Sequence, residues 1–205
     1  MRDELLIVFL KAPRLGTVKT RLAATMGAPA AGAACRRLVE TLLQRLSSLE
    51  YVELRFAPDD SASEIKPWAR PSWRLAAQGE GDLGCRLDRA AREAFASETR
   101  RVVIIGSDCP EVTAADVRAA WTALHTYDVV LGPATDGGYW LIGLRAPRPD
   151  LFEGISWSTS AVLNETLVRA SIAGLTVHIL RELSDVDTEA DWRRFLGQEG
   201  EQRLG

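Results

Sequence analysis

Apolar and polar residues alternate along this chain with two different periods, and the alternation divides it into elements. Short, β-prone apolar runs recur at 5–10, 51–57, 73–77, 101–106, 127–132, 138–144 and 175–180. Between most of them lie segments with the 3.6-residue spacing of helices, at about 20–48, 83–97, 113–126, 158–172 and 188–197. Leu38, Leu42 and Leu46 mark the core-facing stripe of the first helical segment. Runs such as LLIVFL at 5–10 are continuously apolar, the pattern of strands covered on both faces. Strands alternating with helices predict an α/β fold, a three-layer sandwich around a mostly parallel sheet. The stretch DVVLGPATDGGYWLIGL, 128–144, is the exception: its two runs are joined by a few residues, too few for a crossover helix. They predict an antiparallel pair and hence a mixed sheet. The Asp136-Gly137 dipeptide there signals a type I′ hairpin turn. Pro58, Pro67 and Pro71 make 58–72 read as an irregular loop, and the tail LGQEGEQRLG after Phe195 is expected to fray. No internal repeat, low-complexity segment or linker interrupts the pattern, so residues 1–205 read as one domain.

The chemistry gathers just after the strands. Lys11, Arg14, Lys19 and Arg21 crowd the loop that follows 5–10, with Pro13 and Gly16 among them and a helix opening near Thr20. Lys and Arg are ordinarily surface residues, but four cations beyond a buried strand suit phosphates, as do the amides that open a helix. The spacing matches neither a P-loop nor a G-x-G-x-x-G dinucleotide loop. VVIIGSDCP, 102–110, ends a buried strand in Asp108, a carboxylate placed for a hard cation such as magnesium or manganese. LSDVDTEADW, 183–192, offers Asp185 and Asp187, while Thr188 and Asp191 suit a helix cap; either of the first two could complete a metal site with Asp108. Asp136, beside Gly137 and Gly138, is placed to meet a polar acceptor if it does more than make a turn. Of Tyr139 and Trp140, which alternate along a strand, one is expected to face the core and one the cleft. Gly79, Gly81 and Gly84 in QGEGDLGCRLDRA, 78–90, permit close backbone approach to a ligand. In WSTSAV, 157–162, Ser158 or Thr159 reads as a helix cap.

Composition narrows the partners. Net charge is −3 with a sequence pI near 5.5, against the basic face expected of a nucleic-acid binder. No apolar run reaches the length of a membrane span and MRDE does not open a signal peptide, so a cytoplasmic protein is expected. Cys35, Cys85 and Cys109 are isolated and odd in number, and His125 and His178 are isolated too. Neither a disulfide framework nor a zinc cluster follows.

These motifs together resemble a bacterial GT-A-fold family described as glycosyltransferases without an assigned reaction. The shared pattern is K-A-P-x-x-G-x-V-K-T-R-L at 11–22, Q-G-x-G-D-L-G-x-R-L at 78–87, I-G-S-D-C-P at 105–110, G-P-A-x-D-G-G-Y at 132–139, W-S-T at 157–159 and D-x-D-T-x-x-D at 185–191. The resemblance implies a nucleotide-diphospho-sugar transferase fold with a divalent cation, Mg²⁺ or Mn²⁺. It implies Asp108 and Asp187 as metal ligands, and Lys11, Arg14, Gly16, Lys19, Thr20 and Arg21 at the phosphates, with Gln78 and Gly84 near the base. The chain departs from sugar nucleotidyltransferases in lacking G-G-x-G-T-R, and from many glycosyltransferases in carrying a single acid, Asp108, where D-x-D is usual. Its first segment is also similar to that of 2-phospholactate and phosphoenolpyruvate guanylyltransferases. Two reactions are therefore carried forward, because a fold hosts more than one chemistry. One is glycosyl transfer from a nucleotide sugar to a small-molecule acceptor, with Lys19 and Arg21 stabilising the leaving diphosphate and Asp136 orienting or deprotonating the acceptor hydroxyl. The other is nucleotidyl transfer from a nucleoside triphosphate to a small phosphorylated acceptor. A nucleotide-binding module without turnover is the third, non-enzymatic possibility.

Overall fold

The computed structural model describes residues 3–202. Among the described residues seven strands form one sheet: β1 (Glu4–Lys11), β2 (Val52–Ala57), β3 (Arg74–Ala77), β4 (Arg101–Gly106), β5 (Val129–Pro133), β6 (Tyr139–Leu144) and β7 (Val177–Ile179). Every apolar run of the sequence appears as one of them. Their order across the sheet is β3-β2-β1-β4-β6-β5-β7. All neighbouring pairs are parallel except those of β6, which runs antiparallel to both β4 and β5.

The alternation of side chains across β1 explains the layering. Leu6, Val8 and Leu10 point to one face, into a core shared with α2 (Ala28–Arg45) and α5 (Ala114–Ala123). Leu5, Ile7 and Phe9 point to the other, against α4 (Leu83–Ala96) and α6 (Val162–Ile172). Both faces are thus buried, as the continuous apolar run requires. A smaller core joins α1 (Thr20–Met26), α2 and α7 (Glu189–Gln202) through Leu22, Leu38, Trp192 and Phe195. Among the described residues no helix is long and apolar enough to cross a membrane.

Four expectations are corrected. The helical pattern at 20–48 is two helices, because Gly27 takes a left-handed φ of 83° that ends α1, and Pro29 sits in the first turn of α2. The loop 58–72 holds α3 (Ala62–Ile65) and a 3-10 turn at Lys66–Trp68, anchored by the fully buried Ile65. The tail continues as helix α7 to Gln202, since Phe195 is buried and Glu199 accepts bonds from Arg37 and Thr41; the last residues of that expectation, 203–205, lie outside the described residues. The β5–β6 connection is a three-residue loop rather than a two-residue turn. Gly137 N–H bonds the Ala134 carbonyl, Ala134 N–H bonds the Gly138 carbonyl, and Gly137 has φ 89°.

Candidate functional site

Strand order places the site. From β1 the chain moves outward to β2 and β3, then returns to β4 on the other side of β1. The crevice between the C-terminal ends of β1 and β4 is therefore the switch point where ligands bind in open α/β sheets. Phe9 and Gly106 are in register across that pair, so the loop after Lys11 and the segment Ser107-Asp108 leave the sheet at one edge.

Two more segments are brought to this edge. After β1 the chain turns at Gly16, and Thr17 is tied to the Arg14 carbonyl through both its N–H (3.2 Å) and its hydroxyl (2.9 Å). Lys19 then caps α1 in the left-handed conformation, φ 48° and ψ 50°. After β7 the backbone crosses the β5–β6 loop. Leu183 N–H donates to the Pro133 carbonyl, and Thr135 N–H to the Leu183 carbonyl. Val186 N–H donates to the Asp108 carbonyl at 3.0 Å. That last bond fixes Asp187 beside Asp108, although the two are distant in sequence. Thr188 and Asp191 form the cap of α7, Asp191 accepting from the Thr188 N–H (2.9 Å) and hydroxyl (2.7 Å). Asp187 is left free of capping.

The result is a three-residue cluster. Lys19 Nζ lies 2.6 Å from Asp108 Oδ1 and 2.9 Å from Asp187 Oδ1. The Lys19 side chain is only 5% exposed, whereas those of Asp108 and Asp187 are 53% and 39% exposed. Burial by itself would push the ammonium down, but the charges of Asp108 and then Asp187 outweigh it and hold it above its usual range. Arg21 stands further off, 3.9 Å from Asp187 Oδ2 and largely exposed. Among the described residues no group of three or more His, Cys, Asp or Glu side chains is arranged around one metal position. What the site offers is two carboxylates converging on one cation, with outward faces open to the cleft. That donor set fits magnesium or manganese, which take one or two carboxylates and fill the remaining positions with water and phosphate oxygens. The Lys19 ammonium shows that the pair already accommodates a positive charge.

Two adjoining cavities meet over this cluster. One, about 700 Å³, is lined by Lys11, Lys19, Thr20, Arg21, Gln78 and Arg86 among others. The second, about 580 Å³, shares Arg21, Asp108, Ser158 and Asp187 with the first and extends over Asp136, Asp185, Tyr139, Trp140 and Trp157. The cleft is cationic on one side, acidic and aromatic on the other. Asp185 accepts a bond from the Cys109 thiol at 2.5 Å. Burial pushes its carboxyl up to about 6 against the effect of that bond, and Asp108, Asp136 and Asp187 add to the rise. Asp136 Oδ1 accepts from Gly138 N–H at 2.9 Å. Tyr139 packs with the α4/α6 face, edge-on to Trp157, and Trp140 with the α2/α5 face, yet both reach the second cavity.

Three expected residues stand elsewhere. Arg14 turns to the outer side, where Nη2 meets Glu64 at 2.6 Å and Asp60 at 2.9 Å, and it does not line the cleft. Its partner Glu64 sits on α3, the helix concealed by the prolines. Gly16 serves the turn; a Cβ there would meet nothing within 4 Å, and the residue has no place in the lining. Gly84 serves helix packing: a Cβ there would lie 2.5 Å from Trp157 Nε1 and 2.7 Å from the Phe152 carbonyl. Gln78 is buried in the cleft wall, its amide donating to the Leu10 and Arg55 carbonyls at 3.0 Å each. One cation of the lining, Arg86, was not singled out from sequence. Arg86 bonds the Gly81 carbonyl and lies in the R-L of the motif at 78–87. Neither Ser158 nor Thr159 caps α6, which begins only at Val162 with Ala161 at its N-cap; Ser158 lines the cleft with φ 64°, a strained value for a residue with a Cβ.

Comparison with known proteins identifies the family and the fold. Residues 40–159 match the model of DUF2064, an uncharacterized protein family conserved in bacteria. The chain belongs to the DUF2064 family. A crystal structure named "putative nucleotide-diphospho-sugar transferase", from Desulfovibrio desulfuricans G20, is 37% identical to this DUF2064 chain. The match covers 92% of this chain and 84% of that one, with a TM-score of 0.86. The CMP:2-keto-3-deoxy-manno-octonic acid synthetase in complex with CTP is 10% identical over 98% and 99% of the two chains, with a TM-score of 0.63. The manganese complex of Rv0371C from Mycobacterium tuberculosis H37Rv is 17% identical over 94% and 98%, with a TM-score of 0.52. At such identities the last two show the fold alone. No curated protein sequence matches the chain significantly. The DUF2064 chain has the nucleotide-diphospho-sugar transferase fold.

Proposed function

We propose that this DUF2064 protein is a transferase that moves a sugar from a nucleotide-diphospho-sugar to the hydroxyl of a small acceptor, with Asp108 and Asp187 holding a divalent cation. The observation that carries the reading is the convergence of those two carboxylates on one ammonium, at the switch point and at the seam between a cationic and an acidic cavity. The D. desulfuricans relative, named for this class, supports it. Manganese in the Rv0371C complex supports the choice of metal.

Each residue then has a task set by where it stands. Lys11 and Arg21 line the cationic cavity and neutralise the phosphates of the donor. Gln78 and Arg86 form the wall behind them. Asp108 and Asp187 would hold the divalent cation, which would supply Lewis-acid stabilisation of the leaving diphosphate. Asp136, fixed by its bond from Gly138, faces the acceptor side and orients or takes the proton of the attacking hydroxyl. Asp185 and Asp136 make that side acidic, which suits a neutral hydroxyl better than a phosphorylated acceptor. Nucleotidyl transfer is the second reading, favoured by the CTP complex of the synthetase relative. The elements of the site all stem from one sheet, so 1–205 is proposed to work as a single domain.

The test is calorimetry with a panel of nucleotides and nucleotide sugars, with and without Mn²⁺, followed by product analysis. Metal-dependent binding that is lost in both Asp108→Asn and Asp187→Asn, with release of nucleoside diphosphate, is the expected result. Release of pyrophosphate selects nucleotidyl transfer. Undiminished metal-dependent binding in both variants refutes the metal assignment.

A further inference from the structure

Lys19 is placed differently from the other cations of the cleft. Lys11 and Arg21 are exposed, but the Lys19 side chain is almost wholly buried and its ammonium lies between the two carboxylates. Its backbone holds a left-handed conformation that residues with a Cβ rarely adopt, so the surrounding structure fixes it there. A phosphate ligand alone does not explain an ammonium aimed at Asp108 and Asp187.

We propose that Lys19 is a tethered cation that occupies the Asp108–Asp187 pair until a nucleotide's phosphates take its ammonium, so that metal and nucleotide bind as a coupled pair. The inference rests on the reading of these carboxylates as the metal-holding pair. The charges give the reason. Asp108 and Asp187 together carry −2 and Lys19 carries +1, which leaves the resting cluster short of one positive charge. A divalent cation bound to the pair while Lys19 stays would reverse this to an excess of +1, with like charges a few ångströms apart. A diphosphate removes the excess, because its oxygens accept the ammonium and coordinate the metal together. Lys19 already lines the cationic cavity with Lys11 and Arg21, so its ammonium reaches that side by side-chain rotation, without a move of the sheet. Metal alone must displace a buried ion pair, and the anion alone must draw the ammonium from two carboxylates. Each ligand lowers the cost for the other, and the coupling is reciprocal.

The experiment measures Mn²⁺ binding by the full chain without nucleotide, from the electron paramagnetic resonance signal of free Mn²⁺, for the wild type, Lys19→Ala and Lys19→Asn. Asparagine tolerates the left-handed backbone, so it provides a folded, uncharged variant if alanine does not. Removal of the resident ammonium should tighten Mn²⁺ binding about tenfold. In the wild type, pyrophosphate should raise Mn²⁺ affinity by a similar factor, and the variants should lose most of that gain. Mn²⁺ affinity equal to or weaker than wild type in a folded Lys19 variant overturns the proposal. Asp108→Asn and Asp187→Asn separate the two levels of the argument. If they leave Mn²⁺ binding intact, the metal-site reading fails and the proposal with it. If they abolish it while the Lys19 variants show no tightening, only the role given to Lys19 fails.

Discussion

Gly137 lies in the loop that carries Asp136 into the cleft, and alanine at this position should destabilise the protein through two separable effects. The first is conformational: φ is 89°, in the left-handed region where a Cβ costs about 1–2 kcal/mol. The second is a close approach. A Cβ on Gly137 would lie 2.3 Å from the Ser160 carbonyl oxygen, 2.7 Å from its Cα and 2.8 Å from its carbonyl carbon. These are backbone atoms, so no side-chain rotation relieves the contact, and one of the two loops must move. Overpacking of this kind adds about 1–3 kcal/mol. Gly16 provides the control, with φ 76° but nothing within 4 Å of its Cβ position. Gly16→Ala should therefore show the conformational cost alone. The expected order is Gly137→Ala least stable, by on the order of 3 kcal/mol, and Gly16→Ala intermediate. For a chain of this size that is a fall of about 6–12 °C in melting temperature for Gly137→Ala. Urea unfolding should show a lower midpoint with an unchanged slope, a loss of stability without a change in the surface exposed on unfolding. Displacement of Asp136 and of the segment at Ser158 should also weaken acceptor-side function in Gly137→Ala but not in Gly16→Ala. Equal destabilisation in the two variants would refute the close approach as a determinant of this loop.

Lys11→Ala and Arg21→Ala should each weaken nucleotide binding in calorimetry while changing stability by no more than about 0.5 kcal/mol. Arg14→Ala should leave that affinity unchanged, because Arg14 is paired with Glu64 and Asp60 outside the cleft. Asp116 accepts bonds from Arg181 and from Thr113, and these hold its carboxyl below the usual range although burial opposes them. A carboxyl lowered on folding stabilises above its unfolded pKa and loses that contribution as pH falls through its folded value. The urea midpoint should therefore drop on acidification below about pH 4, and Asp116→Asn should flatten that part of the profile.

Much of the fold was legible in the chain because its cause is local. A run such as LLIVFL can be satisfied only as a strand covered on both faces, and β1 is buried on both. The few residues between 132 and 139 cannot span a crossover, so β5 and β6 had to be antiparallel. The cap of α7 by Thr188 and Asp191 follows from a spacing of three. Local signals also misled where burial overrode them. The prolines of 58–72 concealed α3, which Ile65 anchors in the core. The Gly-rich tail concealed the last turns of α7, held by Phe195 and Glu199.

The candidate site was only half legible. The sequence by itself marked Lys19, Asp108 and Asp187 as charged residues beyond strands, because the strands and the polar loops that follow them are local patterns. It could not assign partners among them. Arg14 and Lys19 lie five residues apart on one loop, yet one bonds α3 on the outer side and the other the aspartates of the cleft. Which way each turns is decided by the left-handed backbone at Lys19, by the strand order that sets β1 beside β4, and by the bond from Val186 N–H to the Asp108 carbonyl. Ion pairing depends on ångströms through space, and those distances are set by register and backbone hydrogen bonds between segments far apart in the chain. Only the tertiary structure holds that information.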